Sequence, residues 1–90
     1  MPENVGKNWV VYILECKDHT LYTGMTDDFP RRLAAHESGK GAKYTKGRGP
    51  FTLRYLEHCK DRSEALRREY ALKQLSRPEK LQLCQTWNDQ

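Results

Sequence analysis

The chain has 90 residues, 37% of them hydrophobic, which is one domain's length and enough apolar material for one compact core. Lysine and arginine number 16 against 12 acids, a net charge of +4, and no apolar run is longer than residues 9–14, so no membrane-spanning helix is expected. The polar start has no signal-peptide core, and 3 cysteines without a C-x-x-C pair argue against a disulfide scaffold or a zinc site, which makes the cytoplasm the expected compartment.

Residues 1–8 read as a loose tail and 87–90 as a second one, leaving a single domain over 9–86. Residues 9–16 are β-branched and aromatic and apolar on both faces, as in a central strand. Lys17-Asp18-His19 is a polar break, and Asp and His tolerate left-handed backbone better than most residues. Residues 20–24 then read as a strand paired back in a hairpin. Asp27 or Asp28 caps a helix that accepts Pro30 in its first turn and runs to about Glu37, with Gly39 and Gly41 ending it. Residues 41–50 are a Gly- and Lys-rich loop, and 52–59 a third strand. Asp61 with Glu64, and Ser76 with Glu79, have capping-box spacing and open two further helices, the last reaching about Thr86. The order β-β-α-β-α-α predicts a small α/β (α+β) domain.

Charge is unevenly placed. Residues 38–56 contain no acid but hold Lys40, Lys43, Lys46, Arg48 and Arg54. That is either a solvated loop or a positive field for a polyanion such as nucleic acid.

Three places in this pattern carry chemistry. With the turn at 17–19, Tyr12 faces Gly24 and lies diagonal to Tyr22 on one sheet face, with about 7–8 Å between backbone positions. A two-residue turn would send the phenols to opposite faces, and both tyrosines also suit simple packing. In the first helix, Arg32 and His36 share a face four residues apart. An arginine fork suits phosphate; a surface arginine and a histidine welcomed by the helix C-terminus is the plainer alternative. In the second helix, at about 100° per residue, Glu69 falls between Ala65 and Leu66, with Leu72 continuing that apolar stripe beyond Ala65. A carboxylate beside a packed face needs a partner. Lys73, one turn on, is one candidate; a divalent cation is the other, since Mg²⁺ commonly takes one or two carboxylates plus water and phosphate. Cys16, His19, His58 and Cys59 match no zinc spacing, and Trp9, Trp87 and Cys84 read as packing residues.

Taken together, Val11-Tyr12-Ile13, Tyr22-Thr23-Gly24 some ten residues on, the run from Asp28 to Leu33 with His36, and Glu69 resemble the GIY-YIG nucleases. The loop 41–45 with Gly49-Pro50 resembles the small stand-alone bacterial members. Val11 stands where the family has its first signature glycine. The resemblance implies a three-stranded antiparallel sheet flanked by helices. It implies a metal-dependent nuclease acting on DNA more than RNA, including the branched or damaged structures met in DNA repair. Tyr12 and Tyr22 would orient or deprotonate water, Arg32 would hold the scissile phosphate, and His36 would assist by hydrogen bonding. Gly24 would leave room for the backbone to approach the substrate, and Glu69 would bind one Mg²⁺ or Mn²⁺. Lys40, Lys43, Lys46 and Arg48 would grip the nucleic-acid backbone, with a protein partner supplying any targeting. The alternative expectation is a non-catalytic nucleic-acid-binding module or accessory subunit on the same fold.

Overall fold

The computed structural model describes residues 8–88. Its elements follow the expected order: β1 (Val10–Glu15), β2 (Leu21–Thr26), α1 (Phe29–Glu37), β3 (Thr52–His58), α2 (Arg62–Lys73) and α3 (Arg77–Asn88), with a 3₁₀ turn at Lys43–Thr45. The strands form one antiparallel sheet in the order β2-β1-β3. β1, apolar on both faces, takes the central place, because only there are both faces covered. Residues 1–7 and 89–90, most of the two expected tails, lie outside the described residues. Trp87 and Asn88 continue α3, so the last helix extends past its expected end at Thr86.

The hairpin turn sets the register on which the rest depends. Cys16 N–H donates to Thr20 O and His19 N–H to Cys16 O, each at 2.9 Å. His19 takes the left-handed conformation, φ 68°, and the Asp18 carboxylate accepts from the Thr20 hydroxyl at 2.6 Å. The resulting partners are Tyr12↔Gly24 and Leu14↔Tyr22. On the other side of β1, the pairing with β3 shifts between Ile13 and Leu14, so that Ile13 meets Tyr55 and Leu14 meets Leu53. The extra residue is Arg54. The bulge puts Leu53 and Leu56 on the same sheet face and lets Arg54 reach Glu15 across the sheet, at 2.5 Å.

Two apolar layers sandwich the sheet. Val10, Tyr12 and Leu14 pack with Phe29 and Leu33 of α1 and with Phe51. Val11 packs on the opposite face with Ala65 and Leu72 of α2 and with Leu83 of α3. The valine at the family's glycine position therefore fills core, on the face away from the tyrosines. Both capping expectations hold. Asp61 accepts from Glu64 N–H at 2.8 Å, and Ser76 and Glu79 bond each other reciprocally. Among the described residues no helix is long and apolar enough to cross a membrane.

Candidate active site

Tyr12 and Tyr22 share one face of the hairpin with ring centroids 6.4 Å apart. Gly24, opposite Tyr12, makes this approach possible: a Cβ there would lie 2.6 Å from Tyr12 Oη and 2.9 Å from Tyr22 Cε2. The space that the sequence reading kept for substrate is thus filled by the two phenols themselves.

α1 crosses this face. The Asp28 carboxylate caps it by accepting from Arg31 N–H at 3.2 Å, which fixes the turn carrying Arg32 and His36. The Arg32 guanidinium lies close enough to both phenols for each to raise its pKa, and it in turn lowers that of the Tyr12 hydroxyl. Tyr12 and His36 are joined Oη to Nε2 at 2.9 Å, and His36 Nδ1 lies 2.8 Å from Thr45 Oγ1. The Thr45 hydroxyl spends its proton on Ala42 O, at 2.9 Å. It can therefore only accept from His36, which assigns the tautomer: Nδ1–H donates to Thr45, and Nε2 accepts from the Tyr12 hydroxyl. The whole chain Tyr12–His36–Thr45 is buried, with exposures of 0%, 1% and 0%.

Burial sets the protonation states. It pushes the Tyr12 hydroxyl up to about 12, against the opposing hydrogen bond from Arg32. Burial, and then the Arg32 charge, hold His36 below its ordinary 6.5, so it is neutral at pH 7. This gives a stability prediction. Because the folded pKa is depressed, the unfolded chain binds the proton first, so stability is full above about pH 6.5 and declines as pH falls toward the folded value. Thermal unfolding should show Tm dropping through that window, and His36→Gln should flatten the drop. An unchanged drop in the variant would assign it to another group.

Glu69 comes from the opposite side. α2 packs under β1 and β2 through Ala65 and Leu72, which are 0% and 2% exposed, whereas Leu66 is 42% exposed and lies outside the packed stripe it was expected to join. Glu69 lies at the rim of the packed face, its side chain 20% exposed and paired with Lys73 Nζ at 3.3 Å. Its charge is felt at Tyr12, whose hydroxyl it helps to raise. Two phenols and an imidazole thus meet directly, with the guanidinium and the carboxylate within electrostatic reach. Among the described residues no group of three or more His, Cys, Asp or Glu forms a metal cage, and that includes the set Cys16, His19, His58 and Cys59. One carboxylate oxygen at a rim fits an ion that completes its shell with water and phosphate, as Mg²⁺ does, and does not fit zinc.

The basic loop is fastened to this site. Lys17 N–H donates to Arg48 O at 2.9 Å. Arg48 pairs with Asp18 at 2.5 Å and lies over the Tyr44 ring, 4.6 Å from its centre. Tyr44 in turn stacks on Tyr22, centroids 5.8 Å apart. Lys40, Lys43 and Lys46 are exposed and have no carboxylate partner among the described residues. Arg48 and Arg54 differ, because the hairpin supplies Asp18 and Glu15 to them. The sequence marked Gly41 only as a helix end and 41–45 only as a family likeness, and gave Tyr44 and Thr45 no task at the site. A Cβ at Gly41 would sit 2.4 Å from His36 Nδ1, so its lack of a side chain lets the loop close over the imidazole. The available signal was a Gly-x-x-Tyr-Thr run just after the histidine helix.

Comparison with known proteins gives a consistent picture. Residues 8–82 match the family model of the GIY-YIG catalytic domain. The UPF0213 protein OB0043 of Oceanobacillus iheyensis is 55% identical over 75 residues, covering 83% of this chain and 87% of that one. The UPF0213 protein VNG_2274C of Halobacterium salinarum is 59% identical over 70 residues, 78% of this chain and 91% of that one. Among solved structures, the solution NMR structure of UPF0213 protein BH0048 from Bacillus halodurans aligns with a TM-score of 0.58 at 54% identity, covering 88% of this chain and 84% of that one. The structure of EF2693 from E. faecalis aligns at 0.64 with 38% identity, covering 93% and 90%.

Proposed function

Since this chain belongs to the GIY-YIG catalytic-domain family, we propose that it is a metal-dependent nuclease that hydrolyses phosphodiester bonds in DNA, branched or damaged structures included. The observation that carries this reading is the meeting of Arg32 with both phenols above Gly24, backed by the buried His36. A phosphate brought to a guanidinium beside two phenols finds both a charge clamp and hydroxyls to hold a water.

Each residue has a physical task. Arg32 binds a non-bridging phosphate oxygen and stabilises the charge that develops there. Tyr22, half-buried and stacked under Tyr44, borders the open side and orients the attacking water. Tyr12 is a proton carrier more than a base: fully buried, with its own proton bonded to His36 Nε2, it can accept a proton only as it passes that one on. Thr45 keeps the imidazole in the accepting tautomer. Glu69 would hold a Mg²⁺ or Mn²⁺ ion, which when bound supplies Lewis acidity at the phosphate and lowers the pKa of a coordinated water. Lys40, Lys43 and Lys46 would grip backbone phosphates, giving strong salt sensitivity and little sequence preference. Any targeting to a particular structure would come from a protein partner.

The test is cleavage of labelled single-stranded, duplex and branched DNA by purified protein in Mg²⁺, Mn²⁺ or EDTA, with an Arg32→Ala preparation controlling for contaminating nuclease. Cutting in metal and none in EDTA is the expected result. Binding without cutting in every metal would instead make the chain a nucleic-acid-binding module.

A further inference from the structure

The described residues leave one helix face uncovered next to the site. On α2, Leu66 is 42% exposed and Tyr70 is 69% exposed, the most exposed large hydrophobic side chain of those residues. They are four residues apart and so share a face. At about 100° per residue, Arg62 and Lys73 fall between Glu69 and this pair on the helix surface. The arc therefore runs from the carboxylate at the rim of the packed face, across two cations, to an exposed aromatic ring. Both cations are exposed, and Glu69 is the arc's one acid, already paired with Lys73. A stable interface with a second protein would favour an uncharged centre, whereas cations beside an exposed aromatic suit a polyanion carrying flat bases.

We propose that this face of α2 is a second nucleic-acid contact, carrying the strand away from the cleavage site on the side opposite the lysine loop. The inference rests on the nuclease reading and extends it. Arg62 pairs with a backbone phosphate, and Tyr70, with Leu66 beneath it, packs against sugar or base. The loop and α2 then grip the substrate from the two sides of the sheet edge, with Arg32 and Glu69 between them. A domain this small gains its affinity from both grips.

The experiment is fluorescence anisotropy with fluorescein-labelled DNA, single-stranded and duplex, in EDTA so that binding is read without cleavage. Tyr70→Ala is expected to weaken binding about tenfold, the effect of losing one aromatic contact. Arg62→Ala should weaken it and lower the slope of log affinity against log salt by about one. Leu81→Ala, at a 40% exposed site on α3, should bind as the wild type does, and all three should melt with it. If Lys43→Ala weakens binding but Arg62→Ala and Tyr70→Ala do not, the α2 contact is wrong and the nuclease reading stands. If the wild type fails to bind either DNA, both fall. If light scattering shows a dimer that Tyr70→Ala dissolves, the face joins two copies of the chain and the proposal is overturned.

Discussion

Arg32→Ala is expected to reduce DNA cleavage by about 100- to 1,000-fold, the usual effect of removing one donor aimed at developing charge, while the protein stays folded. The side chain is half-buried, and its removal leaves the Tyr12–His36–Thr45 chain with all its hydrogen bonds. Tyr12 loses the one neighbour whose hydrogen bond lowers its pKa, so its proton becomes harder to move as well. Two contributions are lost together, the phosphate clamp and the tuning of the phenol. Arg32→Lys should recover little, because an ammonium cannot reach two phenols and a phosphate with a planar fork. Glu69→Ala should fall by a similar factor and lose the difference between Mg²⁺ and EDTA, and it should melt like the wild type, since its one ion-pair partner among the described residues is the exposed Lys73. Single-turnover rates at saturating DNA, with Tm measured beside them, separate lost chemistry from lost folding. Wild-type rates in both variants would mean that the reaction runs elsewhere.

How far the sequence could be read follows from which interactions are local. The strands, the caps and the hairpin turn depend on residues a few positions apart, so Asp61 with Glu64 and the Lys17-Asp18-His19 break announced themselves. The diagonal placement of Tyr12 and Tyr22 followed from the turn once its length was chosen. Tertiary facts did not. Arg48 lies in a stretch without acids, yet Asp18, thirty positions away, sits against it. Leu66 fits the apolar stripe of the helix wheel, but it stays 42% exposed while Ala65 and Leu72 carry the packing. The tautomer of His36 depends on Thr45 and Ala42, which lie in a loop with no periodicity to read. Gly24 was legible as a gap, but not as to what fills it.

That gap supports the second strong expectation. Gly24→Ala should cost cleavage on the scale of Arg32→Ala although it removes no functional group. The added methyl would stand 2.6 Å from Tyr12 Oη, 2.8 Å from Tyr12 Cζ and 2.9 Å from Tyr22 Cε2. Two of these are ring atoms on neighbouring strands, and neither ring is free to swing. Tyr12 is wedged edge-on to Phe29 with centroids 5.2 Å apart and bonded to His36, and Tyr22 lies between His36 and Tyr44. Relief requires either parting the paired strands or turning Tyr12 away from Nε2, and both destroy the meeting point of phenols and guanidinium. Overpacking of this kind costs about 1–3 kcal/mol of stability, a drop in Tm of about 5–20 °C in a domain of this size. Tyr12→Phe removes the nearest atom, Oη, so the stability loss caused by Gly24→Ala should be smaller in a Tyr12→Phe background, while cleavage stays low in both. A Gly24→Ala protein that cuts DNA at the wild-type rate would mean that the two phenols need not converge for the reaction, and the placement of the active site over Gly24 would be wrong.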